Sequence, residues 1–224
     1  MNTAAAFAAA GEPVASALAR FELLPSLLFH PARRAEWLPS QAGALADGTA
    51  LHRHASAGLL RRLGLARIAD RGDPALPVCA APDPLFGQLT LACGLVLLGP
   101  MLRRMITRGD VRQACEQLGT EGLSFARGGA TFWDAEPAAA AQAPDADGLR
   151  LQALRLGEAL VAAATDAATG PVGRRGLLRL PADAPLRVAA LPPDLQSPSG
   201  ALGLVRRILA HMDPTWHSSF PDPR

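Results

Sequence analysis

Residues 148–170 read GLRLQALRLGEALVAAATDAATG and carry the clearest helix signal in the chain. The apolar side chains recur at alternating intervals of four and three, at Leu149, Ala153, Leu156, Leu160, Ala163 and Ala167. This spacing places them on one face of an α-helix of about 20 residues. The pattern stops where Gly170 precedes Pro171, because both residue types interrupt a helix. The segment is therefore predicted to be a long amphipathic helix.

The composition of the whole chain favours the same class of structure. Among 224 residues there are 46 Ala and 36 Leu, which form helices readily, but only three Ile and no Tyr. Hydrophobic residues make up 49% of the chain and charged residues 19%, which excludes a wholly disordered protein. We therefore expect a mainly α protein, a compact bundle of about seven helices with proline-rich connections and few or no strands.

Five further segments are predicted to be helical from their apolar spacing, at about 13–24, 50–65, 84–98, 110–126 and 199–212. Gly99-Pro100 predicts a break or a bend after the most apolar of these helices, with a second piece at 101–107. Asp110 is expected to cap the following helix, which ends at Gly119 and restarts at Thr120. Ser199 is expected to cap the last helix. The proline-rich residues 171–198 are expected to be loop with at most one short strand.

The predicted organisation is one helical domain over residues 13–212. It follows a flexible N-terminal segment at 1–12 and precedes a polar, frayed tail at 213–224. Residues 136–147 lack any large apolar side chain and are predicted to form a mobile linker. Trp37, a lone indole between prolines, is expected to be a structural anchor that ties the N-terminal arm to the helical body.

Features of the N-terminus and of the apolar run predict a cytoplasmic protein. The first residues have no basic side chain before Arg20, unlike a secretory signal. The apolar run at 89–102 is shorter than the roughly 20 residues that a bilayer requires, so it is expected to be a core helix. Cys79, Cys93 and Cys115 are odd in number and lie among apolar neighbours, so we expect free, buried thiols.

No arrangement of residues in the sequence indicates catalysis. Ser26, Ser40, Ser56 and Ser124 lack the glycines that flank a hydrolase nucleophile. His52 and His54 are two residues apart in a predicted helix, so their rings point to different faces and are expected to be solvated. There is also no CxxC, HExxH or phosphate-binding loop. The sequence therefore predicts no enzymatic activity, no cofactor, no small-molecule substrate and no metal site.

The polar cluster that best fits a partner-binding site consists of Arg103, Arg104, Arg108 and Arg112. If the break at Gly109 is mild, helical spacing puts the last three on one side, where they could bind an acidic partner. The alternative is a solvated face beside a core helix. A helix-turn-helix over 112–127 is disfavoured because its second helix is short and apolar. The formal net charge of +2 does not indicate nucleic acid as a partner either.

Two blocks of sequence together resemble the SctK (YscK-type) family of bacterial type III secretion systems. The first runs from Arg20-Phe21 through His30-Pro31 to Trp37-Leu38-Pro39. The second runs from Leu95 to Ile106, then through Asp110-Val111-Arg112 and Leu118-Gly119 to Phe125-Ala126-Arg127. The blocks are similar to the family's N-terminal arm and to its apolar helix, arginine pair and Leu-Gly helix, and they cover about a third of the chain.

The resemblance implies a non-enzymatic adaptor of the sorting platform, recruited from the cytoplasm to the cytoplasmic face of the inner membrane. Its partners would be the cytoplasmic domain of the inner-membrane ring protein and the C-ring-like pod protein, and it would reach the membrane only through them. No catalytic residue is implied. Two alternatives remain open, a helical DNA-binding regulator and a secretion chaperone, although the chain is larger and more basic than most such chaperones.

Overall fold

The computed structural model describes residues 13–33, 49–133, 148–168 and 170–221. Three sequence predictions lie outside these residues. They are the flexible segment at 1–12, the anchor role of Trp37 and the mobile linker at 136–147. Everything below concerns the described residues.

The described chain consists of helices joined by short connections, so the predicted mainly α class is confirmed. Two short 3-10 helices follow α6 and α8, at Gly129–Thr131 and Ala184–Ala190, and the described residues contain no strand. Seven of the α-helices have nine or more residues, in agreement with the predicted number. The α-helices are α1 Val14–Leu23, α2 Pro25–Leu28, α3 Thr49–Arg62, α4 Leu76–Cys79, α5 Asp83–Arg104, α6 Arg108–Gly128, α7 Leu149–Asp166, α8 Gly170–Leu178, α9 Pro193–Gln196, α10 Pro198–Met212 and α11 Pro214–Ser218.

Helix α5 is the centre of the fold, and it packs most extensively on α7 and α6. Gly94 of α5 lies against the backbone of Ala153, and Gly157 of α7 lies against the backbone of Thr90. Glycine at both positions lets the two helix axes approach closely, since a side chain on either would collide with the other backbone. Helix α10 packs on α7 and also contacts α5. The amphipathic helix predicted at 148–170 is therefore confirmed as a core element.

Helix α5 is long and apolar enough to cross a membrane, but 78% of its apolar stretch is buried inside the fold. The predicted break at Gly99-Pro100 is wrong, because α5 continues through Pro100 to Arg104 and has 22 residues. The argument that this apolar run is too short to span a bilayer is therefore also wrong. The burial of α5 on several sides, rather than its length, shows that it is a core helix.

Packing explains why α5 is not interrupted. Proline removes one backbone hydrogen bond from a helix. Gly99 lies against the carbonyl of Ala126, and Gly129 lies against the backbone of Val96, so α6 and the 3-10 helix after it hold α5 through this region. Tertiary contacts of this kind outweigh the local cost of the proline.

The prediction for α6 is partly right. Its N-cap is Thr107 rather than Asp110, so the break between α5 and α6 lies at 105–107 and not at Gly109. Gly119 does interrupt the helix, with φ 74° and ψ 160°. The segment that follows ends at Gly128, as predicted. The last long helix likewise has Ser197, not Ser199, as its N-cap, and the Ser197 hydroxyl accepts from the backbone N–H of Gly200.

Residues 171–198 are not a loop, and this is the largest error of the sequence prediction. They include α8, a 3-10 helix and α9, although α8 contains three glycines and a proline. The absent side chain at Gly176 leaves room for Cys79 Sγ and Thr165 Cγ2, which a Cβ would approach to 2.6 and 2.7 Å. Close packing on α4 and α7 therefore stabilises a helix that its propensities disfavour.

The tail is not frayed over residues 213–220, contrary to the prediction. The Asp213 carboxylate caps α11 by accepting from the backbone N–H of Trp216. The Trp216 indole is buried, and its Nε1–H donates to the Pro77 carbonyl at 2.8 Å. An indole that fills an apolar site and satisfies its own donor stabilises the segment that carries it.

Candidate interaction surface

The connection between α5 and α6 is held in place from both sides. Arg127 donates through Nε to the Leu102 carbonyl at 3.3 Å and through Nη2 to the Met105 carbonyl at 2.7 Å. These bonds serve carbonyls at the end of α5, where the Leu102 carbonyl also accepts from the Met105 backbone N–H at 3.4 Å. Thr107 Oγ1 accepts from the Asp110 N–H and donates to the Asp110 carboxylate at 2.7 Å. The connection is therefore an ordered feature of the surface.

The four arginines predicted as a partner site do not share one environment. Arg104, Arg108 and Arg112 are exposed, whereas Arg103 is half-buried beside Gly99. Arg104 is the last residue of α5, and the other two exposed arginines lie four residues apart on α6. The structure thus brings three of the predicted residues to the surface on either side of the same connection, and not along a single helix.

Ile106 lies in this connection and is 85% exposed. It was missed as a site residue because it falls between two helices, where no periodic pattern assigns it to a face. The available signal was a β-branched apolar residue flanked by arginines in sequence. We call the surface formed by Arg104, Ile106, Arg108 and Arg112 the basic corner.

The charges of the basic corner are not neutralised within the described residues. No ion pair there joins Arg104, Arg108 or Arg112 to an acidic side chain. Asp110, the acidic residue nearest in sequence, accepts a hydrogen bond from Thr107. Three guanidinium groups and an exposed apolar side chain are typical of the centre of a protein interface, where arginine is enriched.

A second polar cluster lies between α2 and α3 and was not expected from the sequence. Ser26 Oγ lies 2.7 Å from Ser56 Oγ and 3.0 Å from His52 Nδ1. His52 is therefore buried and His54 is exposed, which confirms that the two rings point to different faces of α3. The prediction that both rings are solvated is wrong for His52. A serine next to a histidine has the chemistry of a nucleophile and its base. Both serines are 0% exposed, however, so this arrangement joins two helices and offers no access to a substrate.

The guanidinium of Arg179 is a buried charge, and its side chain is 1% exposed. Its Nη1 donates to the carbonyls of Cys79 and Ala81 at 2.7 and 2.6 Å, and its Nη2 pairs with Asp83 at 2.8 Å. Burial lowers the pKa of Arg179, and the Asp83 carboxylate opposes that shift. The guanidinium also stacks on the Phe86 ring at 3.9 Å. Every one of these partners lies on α4, on α5 or between them, so the role of Arg179 is to join the two helices.

The cysteines and the metal-binding residue types indicate no reactive centre in the described chain. Burial raises the pKa of the Cys79 thiol to about 12 and raises that of Cys93 as well. Such thiols are poor nucleophiles at neutral pH. All three cysteines are free, and Cys79 and Cys93 are buried as predicted, whereas Cys115 is half-buried. No group of three or more His, Cys, Asp or Glu side chains that could hold a metal occurs among the described residues.

Comparison with known proteins adds no relative, since no family model, curated protein or solved structure matches the chain. The interpretation of the basic corner therefore depends on its own geometry and charge.

Proposed function

We propose that the protein is a non-enzymatic adaptor of a bacterial type III secretion sorting platform. In this role it links the cytoplasmic domain of the inner-membrane ring protein to the C-ring-like pod protein. It is a cytoplasmic protein that these partners recruit to the cytoplasmic face of the inner membrane. The proposal joins the two sequence blocks that resemble the SctK family to a surface suited to binding another protein.

The observation that carries the proposal is the basic corner. The Ile106 side chain is 85% exposed. A partner surface that covers it removes this apolar area from water, which favours binding. The flanking Arg104 and Arg108 present planar guanidinium groups that bind carboxylates with two hydrogen bonds each. The partner surface is therefore an apolar pocket rimmed by Asp or Glu side chains.

Three features of the described chain favour an adaptor over an enzyme. Arg104, Arg108 and Arg112 are exposed on the surface, and Arg179 is used to join helices. Its Ser26–His52 pair is closed to solvent, and burial raises the pKa of two of its three thiols. The exposed arginines and isoleucine of the basic corner suit binding rather than bond breaking.

The test is a binding measurement with the purified ring-protein domain and the purified pod protein from the same bacterium. The Arg104→Glu, Arg108→Glu double variant should bind one of them at least about tenfold more weakly than the wild type. Ile106→Asp should weaken the same complex by about 30-fold, as expected when the apolar centre of an interface is lost. All substituted residues are exposed, so the helical circular dichroism should stay unchanged.

Matched controls are available elsewhere on the surface. Arg71→Glu with Arg174→Glu reverses two other exposed arginines, and Leu186→Asp replaces a leucine that is 81% exposed. Binding by these controls should equal that of the wild type. Normal binding by both corner variants would remove the basic corner from the proposal. Failure of the wild type to bind either partner, together with salt-dependent binding to duplex DNA, would favour the DNA-binding regulator instead.

A further inference from the structure

A groove lies between α1 and α3, far in sequence from the basic corner, and encloses about 400 Å³. Its lining includes Ala19, Arg20 and Leu23 from α1 and Arg53, Ala57 and Leu60 from α3. On α3 the lining residues are separated by four and three positions, and on α1 Leu23 lies four and three positions after Ala19 and Arg20, so each set forms one helical face. Ala19, Leu23 and Ala57 are exposed, whereas Leu60 is half-buried and packs against a small apolar cluster that includes Leu59.

The shape of the groove suits a helix. Ala19 and Ala57 stand on opposite walls and leave space between them, while Leu23 and Leu60 supply apolar surface. Leu23 is 54% exposed, so its side chain is accessible to an occupant of the groove. Helix α1 has 10 residues and α3 has 14, which correspond to lengths of about 15 and 21 Å. A helix of two to four turns laid between them would complete a three-helix arrangement.

The walls of the groove are held in place before anything binds. Phe21 and Ala17, on the opposite face of α1, are buried in the main core. Helix α3 is tied to α2 by the buried Ser26, His52 and Ser56, whose side chains bond to one another. A preformed site avoids the entropic cost of ordering its own walls during association.

The charged residues that line the groove are Arg20 of α1 and Arg53 of α3. Helix α3 contains Arg53, Arg61 and Arg62 and no Asp or Glu. Arg20 is exposed on the α1 side. Glu22, the acidic residue of α1, is not among the residues that line the groove, and its backbone carbonyl accepts from Arg175 Nη2 at 3.3 Å. An occupant with acidic flanks is therefore complementary to the rim, and a basic occupant would be repelled.

We propose that the groove between α1 and α3 binds an acidic amphipathic helix of a partner protein. Leucine or isoleucine side chains of that helix, spaced by three and four residues, pack on Leu23, Ala57 and Leu60. An Asp or Glu side chain of that helix pairs with Arg53. This inference does not rest on the secretion assignment, and it adds a second docking surface to a protein whose basic corner supplies the first.

The experiment is a selection from a phage-displayed library of random peptides of about 15 residues, the length at which isolated helices begin to form. Wild-type protein is the target, and the Ala57→Trp variant is used to remove peptides that bind elsewhere. The recovered sequences should be acidic and should show apolar residues at helical spacing. Synthetic copies should bind the wild type and bind Arg53→Glu about tenfold more weakly. Arg174→Glu, a reversal on another surface, should leave their affinity unchanged.

A second blocking variant keeps the test independent of any one substitution. Ala19→Trp fills the groove from the α1 wall, and Ala19 and Ala57 are both exposed alanines whose replacement does not disturb the core. Both variants should keep the wild-type helical circular dichroism and lose the peptides. Peptides that are basic or without helical spacing would overturn the proposal, as would equal binding to both blocked variants. A wild-type dimer that Ala57→Trp converts to monomer would overturn it too, since the occupant would then be a second copy of the chain.

Discussion

The packing of α5 on α7 predicts that alanine has opposite effects on stability at two glycines of α5. At Gly94 an added Cβ would lie 1.6 Å from the Ala153 carbonyl oxygen, whereas at Gly87 it would meet nothing within 4 Å. Both glycines lie inside α5. Alanine at Gly87 is therefore expected to stabilise the protein, and alanine at Gly94 is expected to destabilise it.

The magnitude follows from two opposing effects. Replacing glycine by alanine within a helix contributes about 1 kcal/mol of stability, and this gain applies at both positions. At Gly94 the obstacle is the backbone of α7, which no side-chain rotation can move, so α5 and α7 must separate. Overpacking of a well-packed core costs typically about 1–3 kcal/mol, and a backbone collision belongs at the upper end or beyond. The two variants should therefore differ in free energy of unfolding by about 3 kcal/mol.

The assay is urea unfolding followed by helical circular dichroism, for wild type, Gly87→Ala and Gly94→Ala. Gly157→Ala offers an independent test from the partner helix, because its Cβ would lie 1.8 Å from the Thr90 carbonyl oxygen. A Gly94→Ala variant as stable as Gly87→Ala would show that the two helices do not approach as closely as described. The placement of α5 at the centre of the fold would then have to be revised.

Three further predictions concern buried groups. Arg179→Met leaves the carbonyls of Cys79 and Ala81 without their donor, so it should lower the free energy of unfolding by about 3 kcal/mol. A change below about 0.5 kcal/mol in urea unfolding would contradict the role of Arg179 in joining α4 and α5. Trp216→Ala should lower the free energy of unfolding by about 3 kcal/mol or more in the same measurement. An unchanged unfolding midpoint would instead support a frayed tail. The chain has no Tyr and no Lys, so the thiols are the side chains that lose a proton near pH 9 when the protein is unfolded. Because burial raises the pKa of Cys79 from 9.0 to about 12, the unfolded state loses a proton that the native state keeps, and stability should fall as pH rises from 9 to 12. Cys79→Ala should reduce that slope by about 1.4 kcal/mol per pH unit, and an identical slope in both proteins would show that the thiol is not buried.

The elements that could be predicted from the sequence are those in which local pattern and packing agree. The regular spacing from Leu149 to Ala167 led to α7 because a single apolar face meets the core there. Gly119 could be placed as an interruption because its positive φ suits glycine. The α5 helix was found, but its end was not, since the local effect of Gly99-Pro100 is outweighed by contacts with α6 that lie far away in sequence.

The remaining features depend on contacts that no local pattern reveals. Helix α8 has poor propensities and forms because Gly176 lets Cys79 and Thr165 approach. Arg179 would be placed at the surface by its charge, yet its acceptors are carbonyls about 100 residues away in sequence. The candidate site, too, could be predicted only in part from the sequence. Three exposed arginines were identified from their spacing, whereas Ile106 became part of the site only through the position of the break between α5 and α6.

Site-specific photo-crosslinking in the native bacterium tests the central claim, that the basic corner contacts a secretion-platform partner. A benzoyl-phenylalanine placed at Ile106 should form a covalent adduct with the ring protein or the pod protein when cells are irradiated. The same group placed at Leu186, which is 81% exposed, is the matched control and should form no such adduct. The absence of an adduct from position 106, or adducts of equal yield from both positions, would contradict the account.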